Sequence, residues 1–426
     1  MSDETLIARR EKVLGPAYRL FYDRPLYLVR GQGARVWDAE GRAYLDAYNN
    51  VPSVGHCHPN VVAALAEQAA ALNTHTRYLH DNVVDYAERL VATFPAPLSQ
   101  VMFTCTGSEA NDLALRVARS VTGAQGIIVT ANAYHGVTAA LAEISPSLGP
   151  ANPLGAHVRV VPAPDSYRLG AEGAERALTQ GVKDAVRSLQ AAGHGVAAFL
   201  CDTVFASDGV FTDPVGLPAG AVAAVRAAGG LFIADEVQSG LARPGGSMWA
   251  FERHGLIPDL VTLGKPLGDG HPIAALVAQP QYLEEFGRKT RYFNTFGGNP
   301  VSAAVGRAVL DVIAEEGLQE NARRVGAALR AALQGLAARH EVVGDVRGAG
   351  LYAAVELVSD RAAKTPDGAR ALRMVGALRE AGVLVGSCGA AANCLKIRPP
   401  LCFSEADVEE LVAALDRCMT QIAAPA

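Results

Sequence analysis

Gly229-Gly-Leu-Phe-Ile-Ala-Asp235-Glu-Val-Gln238-Ser-Gly240 places four consecutive apolar residues between a glycine pair and an acid. A run that is apolar at every position, instead of every second one, reads as a strand buried on both faces, as in a parallel sheet. A second stretch, Asp259-Leu-Val-Thr-Leu-Gly-Lys265-Pro-Leu-Gly268, repeats the pattern and ends on a lysine. Open α/β sheets keep their ligands beyond the carboxyl ends of such strands, so Asp235 and Lys265 are predicted to face one crevice.

The chemistry of that pair is specific. A lysine amine condenses with an aldehyde, and a buried carboxylate keeps a pyridine nitrogen protonated, which together suit pyridoxal 5′-phosphate (PLP). A third segment, Val101-Met-Phe-Thr-Cys-Thr-Gly107-Ser108-Glu-Ala-Asn-Asp-Leu-Ala-Leu-Arg-Val-Ala-Arg119, reads as strand, Gly-Ser turn and amphipathic helix. Its free N–H groups and positive helix end would seat a phosphate, with Gly107 allowing close approach and Ser108 adding a hydroxyl donor. Taken singly, the same residues read as a strand-end acid, a solvated turn lysine and an N-cap serine.

Bulk properties narrow the class. The chain has 426 residues, half of them hydrophobic and 19% charged, enough for a large core in more than one lobe. A net charge of −5 with no basic run argues against nucleic acid and anionic membranes as partners, and points to small molecules. Met1 to Lys12 is polar and no apolar run reaches the length of a membrane span, so a cytoplasmic location is expected. The seven cysteines form no Cys-x-x-Cys pair, which favours reduced thiols over disulfides or zinc. His56-Cys57-His58 reads as a structural loop, because alternate residues of an extended segment point apart.

Along the chain, Arg35 to Asp46 alternates about an Asp-x-x-Gly turn and reads as a hairpin of a minor lobe. Buried strands are expected at Gly126 to Thr130, Val196 to Cys201, Leu231 to Ala234 and Leu260 to Leu263, with alanine-rich helices between them. The expected organisation is residues 1–55 in a small lobe, 56–300 in a large cofactor-binding α/β domain with a mostly parallel sheet flanked by helices, and 301–426 in a small α+β domain. Gly348-Ala-Gly350 lacks the third glycine and the following helix of a dinucleotide fingerprint, so it reads as a turn.

Five motifs in order, Thr-Gly107-Ser108-Glu-Ala-Asn, Ala-Tyr134-His135-Gly136, Asp235-Glu-Val-Gln238-Ser-Gly, Gly-Lys265-Pro-Leu-Gly and Asn-Thr295-Phe-Gly-Gly-Asn-Pro, resemble the class III aminotransferase family of PLP enzymes, fold type I. The resemblance implies that Lys265 is the Schiff-base lysine, that Asp235 holds the pyridine nitrogen and that Gln238 bonds the phenolic oxygen. It implies Tyr134 on the ring face and Gly107 with Ser108 on the phosphate, with His135 either orienting its loop or touching the cofactor. Thr295 would reach the phosphate of a neighbouring subunit, which implies a homodimer with shared active sites, with a tetramer also open.

The resemblance implies two reactions. Segments around Asn50 and Arg77, and Gly-Lys-Pro-Leu-Gly-Asp-Gly-His-Pro, are similar to phospholyases that eliminate phosphate and ammonia from O-phosphoethanolamine and phosphohydroxylysine. Where the family has a strand-end glutamate able to pair with an active-site arginine, this chain has the shorter Asp202. Cys394-Leu-Lys396-Ile-Arg398 alternates so that Lys396 and Arg398 share a face, and Arg398 matches the family's carboxylate-binding arginine. Asn50, Arg77, Asp202 and Arg398 are therefore the candidate substrate-binding residues. The sequence reading favours transfer of an amino group from an ω-amine or amino acid to a keto acid such as pyruvate. The alternative is the phospholyase reaction; a silent binding protein is disfavoured by intact Lys265 and Asp235.

Overall fold

The two apolar runs become adjacent parallel strands, registered so that Asp235 lies beside Thr262. The computed structural model describes residues 3–423. Its main sheet comprises β1 (Gln100–Thr104), β2 (Ile127–Thr130), β3 (Val158–Val161), β4 (Ala198–Cys201), β5 (Leu231–Asp235), β6 (Leu260–Leu263) and β7 (Ala274–Ala278). They lie in the order β1-β7-β6-β5-β4-β2-β3, and only the pairs that involve β7 are antiparallel.

Strands β4, β5 and β6 are buried at every residue because helices cover both faces. Phe199 and Phe232 point into one core with Leu178, Val182 and Leu189 of the helix Ala171–Ala191. Leu200 and Ile233, one residue further along each strand, point into the opposite core with Leu113 and Val117 of the helix Gly107–Thr122. Each such side chain contributes roughly 1.5–3 kcal/mol by leaving water, so the period-two alternation fixes the register of the central strands. The carboxyl ends of β1, β2, β4, β5 and β6 consequently open onto one edge, where Asp235 ends β5 and Gly107, Tyr134, Asp202 and Lys265 follow the other four in sequence.

Two smaller sheets complete the chain. The hairpin Arg35–Asp38 with Ala43–Asp46 forms as expected, and Val383–Leu384 joins it in parallel, tying the two ends of the chain together. The other sheet contains β8 (Val343–Ala349), β9 (Tyr352–Asp360), β10 (Gly386–Cys388) and β11 (Cys394–Ile397), in the order β8-β9-β11-β10. Gly348-Ala-Gly350 closes the β8–β9 hairpin, and a Cβ on Gly350, whose φ is +54°, would meet the carbonyl of Arg243 at 2.2 Å. His56 Nε2 pairs with Asp46 Oδ2 at 2.7 Å, and His58 Nε2 with Glu316 Oε1 at 2.9 Å. Among the described residues no helix is long and apolar enough to cross a membrane.

Candidate active site

Lys265 leaves β6 through Gly264 and takes a φ of +24°, a region that a lysine enters only when its surroundings impose it. Burial pushes its pKa down, and the nearby Arg398 adds to the shift against the opposing charge of Asp235. A depressed lysine keeps more of its amine free to react.

Asp235 ends β5 within a ring of donors. Its Oδ2 accepts from Asn111 Nδ2 at 3.0 Å and pairs with His135 Nδ1 at 2.7 Å, while Oδ1 accepts from the Val237 amide at 3.1 Å. Burial favours the neutral acid, but the hydrogen bond and charge of His135 outweigh it and hold the carboxyl below its usual range. Asp235 is thus a fixed anion at neutral pH. His135 meets Asp235 through Nδ1, and its own Nε2 is buried without a partner in the described residues. Asn111, which sequence reasoning passed over, also accepts from Thr262 Oγ1 at 2.6 Å and donates to the His135 carbonyl at 2.8 Å. One helix residue thereby fixes the acid, the histidine loop and strand β6.

The helix Gly107–Thr122 is capped by Thr106 through a reciprocal bond with Glu109, so Ser108 lies inside the first turn and is not the cap. Its hydroxyl accepts from the Val137 amide at 3.2 Å, which pins the Tyr134 loop to the helix start. A Cβ on Gly107 would meet Val237 Cγ1 at 2.9 Å, and one on Gly264 the Gly107 Cα at 3.2 Å, so the glycines let three loops close together. Gly107, Ser108, Tyr134, Asp202, Gln238 and Lys265 line one cavity, along with Asp235 and His135. The residues fit PLP: an anion fixed by a histidine for the ring nitrogen, a helix start for the phosphate, a depressed amine between them and a tyrosine at the rim.

Above the cavity, Arg398 Nη1 donates to Asn50 Oδ1 at 2.9 Å and to Gln238 Oε1 at 2.5 Å, and its guanidinium lies 4.8 Å from the Tyr48 ring centroid. Asn50 in turn donates to the Gln238 carbonyl at 3.2 Å. Lys396, another residue outside the sequence-derived set, is buried on the same strand face, and burial followed by the charge of Arg398 pushes its pKa down to about 7. Asp202 turns back on its own chain, accepting from the Val204 and Ala206 amides at 3.0 and 3.1 Å, and burial raises it to about 6. Arg77 and Thr295 are not brought to the cavity of their own chain. Both are exposed, and Arg77 stacks 3.8 Å from the ring centroid of Phe293, two residues before Thr295.

Sheet order, crevice and polar ring together define a PLP-dependent enzyme of fold type I. The chain belongs to the class III aminotransferases, whose family model matches residues 21–419. Relatives include "Alanine--glyoxylate aminotransferase 2-like" of Drosophila melanogaster, 42% identical over 99% of this chain and 88% of that one. "Ethanolamine-phosphate phospho-lyase homolog 1" of Caenorhabditis elegans is 36% identical over 98% of this chain and 94% of its own. Among solved structures, a phospholyase from Arthrobacter in complex with phosphoethanolamine superposes with a TM-score of 0.95 at 44% identity, covering 99% of this chain and all of that one. A transaminase from the marine bacterium Virgibacillus gives 0.88 at 28% identity over 98% and 99%.

Proposed function

We propose that the enzyme is a phospholyase that eliminates phosphate from small amino-alcohol phosphates of the O-phosphoethanolamine type. The observation that carries this reading is the convergence of two buried basic groups, Lys396 and Arg398, on Gln238 beside the cavity, with no acid among the described residues forming an ion pair with the arginine. Burial first, and then the charge of Arg398, depresses Lys396, and a dianionic phosphate offsets both better than a single carboxylate does. Asp202, the residue able to mask an arginine, spends both oxygens on backbone amides. Arg398 therefore has no acid partner among the described residues, which suits an anionic substrate. Similarity to the Arthrobacter phospholyase supports the same reading.

When bound, PLP supplies the aldehyde that carries the substrate amine and the electron sink that acidifies the adjacent C–H bond. Asp235, kept ionised by His135, would hold the ring nitrogen protonated. Lys265 Nζ takes the proton from the amine-bearing carbon. Arg398, with Asn50 beside it, orients the phosphate, whose C–O bond to the neighbouring carbon breaks as the leaving phosphate takes the electron pair. Water then releases ammonia and the aldehyde product.

Exposed apolar residues beside Arg77 and Thr295, among them Leu79 at 99% and Phe296 at 69% exposure, support a homodimer in which both residues complete a neighbour's site. The unpaired state of all seven cysteines supports the cytoplasmic reading. Transamination to a keto acid such as pyruvate is the second reading; the aminotransferase relatives favour it, and Arg398 would accept a carboxylate. Purified enzyme given O-phosphoethanolamine without a keto acid separates the two: the lyase releases phosphate over many turnovers, whereas a transaminase stops after one.

A further inference from the structure

The carboxamide of Gln238 is held from one side. Its Oε1 accepts from Arg398 Nη1 at 2.5 Å, Lys396 Nζ at 3.3 Å and Tyr352 OH at 3.4 Å. The two ends of an amide are distinguished by their partners, and a guanidinium only donates, so the atom facing Arg398 is the oxygen. Three donors saturate that oxygen, and the Nε2 amide is left for the cavity that Gln238 lines beside Asp235 and Lys265. Of the three donors, Arg398 is shared with Asn50 and is the group an incoming anion recruits. Tyr352 is neutral and at the longest distance. Lys396 is buried, its Nζ is 5.7 Å from the Tyr352 ring centroid, and Arg398, Cys388, Asp202 and Lys265 are the ionisable groups whose fields it feels.

We propose that Lys396 is a positioning residue that keeps Gln238 turned with its N–H donors toward the cofactor while Arg398 is engaged by substrate. The inference rests on Gln238 serving the phenolic oxygen of PLP. A flipped amide would present an oxygen lone pair to that phenolic oxygen in place of a donor, so the lysine on the far side controls the cofactor without touching it. A donor on an anionic oxygen favours its deprotonated form, and losing the donor raises the pH at which the cofactor chromophore titrates.

The test is the pH midpoint of the visible absorbance of the cofactor-loaded protein, in wild type, Gln238→Leu, Lys396→Met and the double variant. Gln238→Leu is expected to raise the midpoint by roughly one unit, the scale of a charge-assisted hydrogen bond. Lys396→Met should raise it in the same direction, the double variant no further than Gln238→Leu, and Lys396→Arg should restore it. Tyr352→Phe, which removes the weakest donor without a cavity, should give a small upward shift and keeps the test available if Lys396→Met does not fold. A Lys396→Met shift that persists in full on the Gln238→Leu background would mean that the lysine acts as a bare charge, and would overturn the proposal. No shift in Lys396→Met would overturn it as well. An unmoved midpoint in Gln238→Leu would remove the Gln238 assignment and the proposal with it, while leaving the phospholyase reading to its own assay.

Discussion

Replacing Arg398 with methionine keeps most of the side-chain volume and deletes the charge that bridges Asn50 Oδ1 and Gln238 Oε1. A hydrogen bond to a charged group is worth about 1.5–3 kcal/mol, so kcat/KM for O-phosphoethanolamine should fall roughly ten- to a hundredfold. The smaller end of that range is expected, because Arg398 is a cause of the depressed Lys396 pKa and its removal lets the lysine regain charge. The comparison substrate is β-chloroethylamine, which offers an amine and a leaving group but no phosphate. Its kcat/KM should fall much less, since it offers Arg398 no phosphate and feels the loss only through Gln238 and the Lys265 pKa. The assay is the ratio of the two kcat/KM values in wild type and variant. Equal losses would refute the assignment of Arg398 to substrate phosphate and make it a structural support of Gln238.

Asp235→Asn should retain PLP but lower turnover by several orders of magnitude, because a neutral amide paired with His135 cannot keep the ring nitrogen protonated; stopped-flow turnover with near wild-type rates would oppose this. Lys396 titrates at about 7 and is cationic only below that value, so KM for phosphoethanolamine should rise as pH passes upward through neutrality. The substrate phosphate is already dianionic above about pH 6, and the rise should vanish in Lys396→Met, as initial rates across pH will show. Thr295→Ala should weaken PLP retention and make it depend on protein concentration, whereas a fully active monomer in sedimentation would contradict a shared site.

The strands were legible because burial on both faces writes itself as an unbroken apolar run: Leu260–Leu263 appears as expected, and Leu231–Asp235 extends by one residue. Val158–Val161 and Ala274–Ala278 were not anticipated. The first is a short edge strand, and the alanines of the second carry helical propensity that tertiary pairing overrides. Asp235 and Lys265 were legible because each closes such a run. Asn111, Glu236 and Lys396 were not, since their roles depend on partners brought together only by the fold. Glu236, raised to about 8 by burial, accepts from the Ala250 and Phe251 amides and from Thr203, and so anchors the loop that carries Gln238. The alternation at Lys396 and Arg398 correctly gave a shared face, but not that the face is buried over the cavity.

The most direct measurement is inorganic phosphate released from O-phosphoethanolamine by the purified, PLP-loaded enzyme with no keto acid present. Many equivalents of phosphate per active site, accompanied by equal ammonia, are predicted. Phosphate limited to one equivalent or less, alongside sustained alanine formation when pyruvate and an amine are supplied, would contradict the phospholyase account and establish the transaminase in its place.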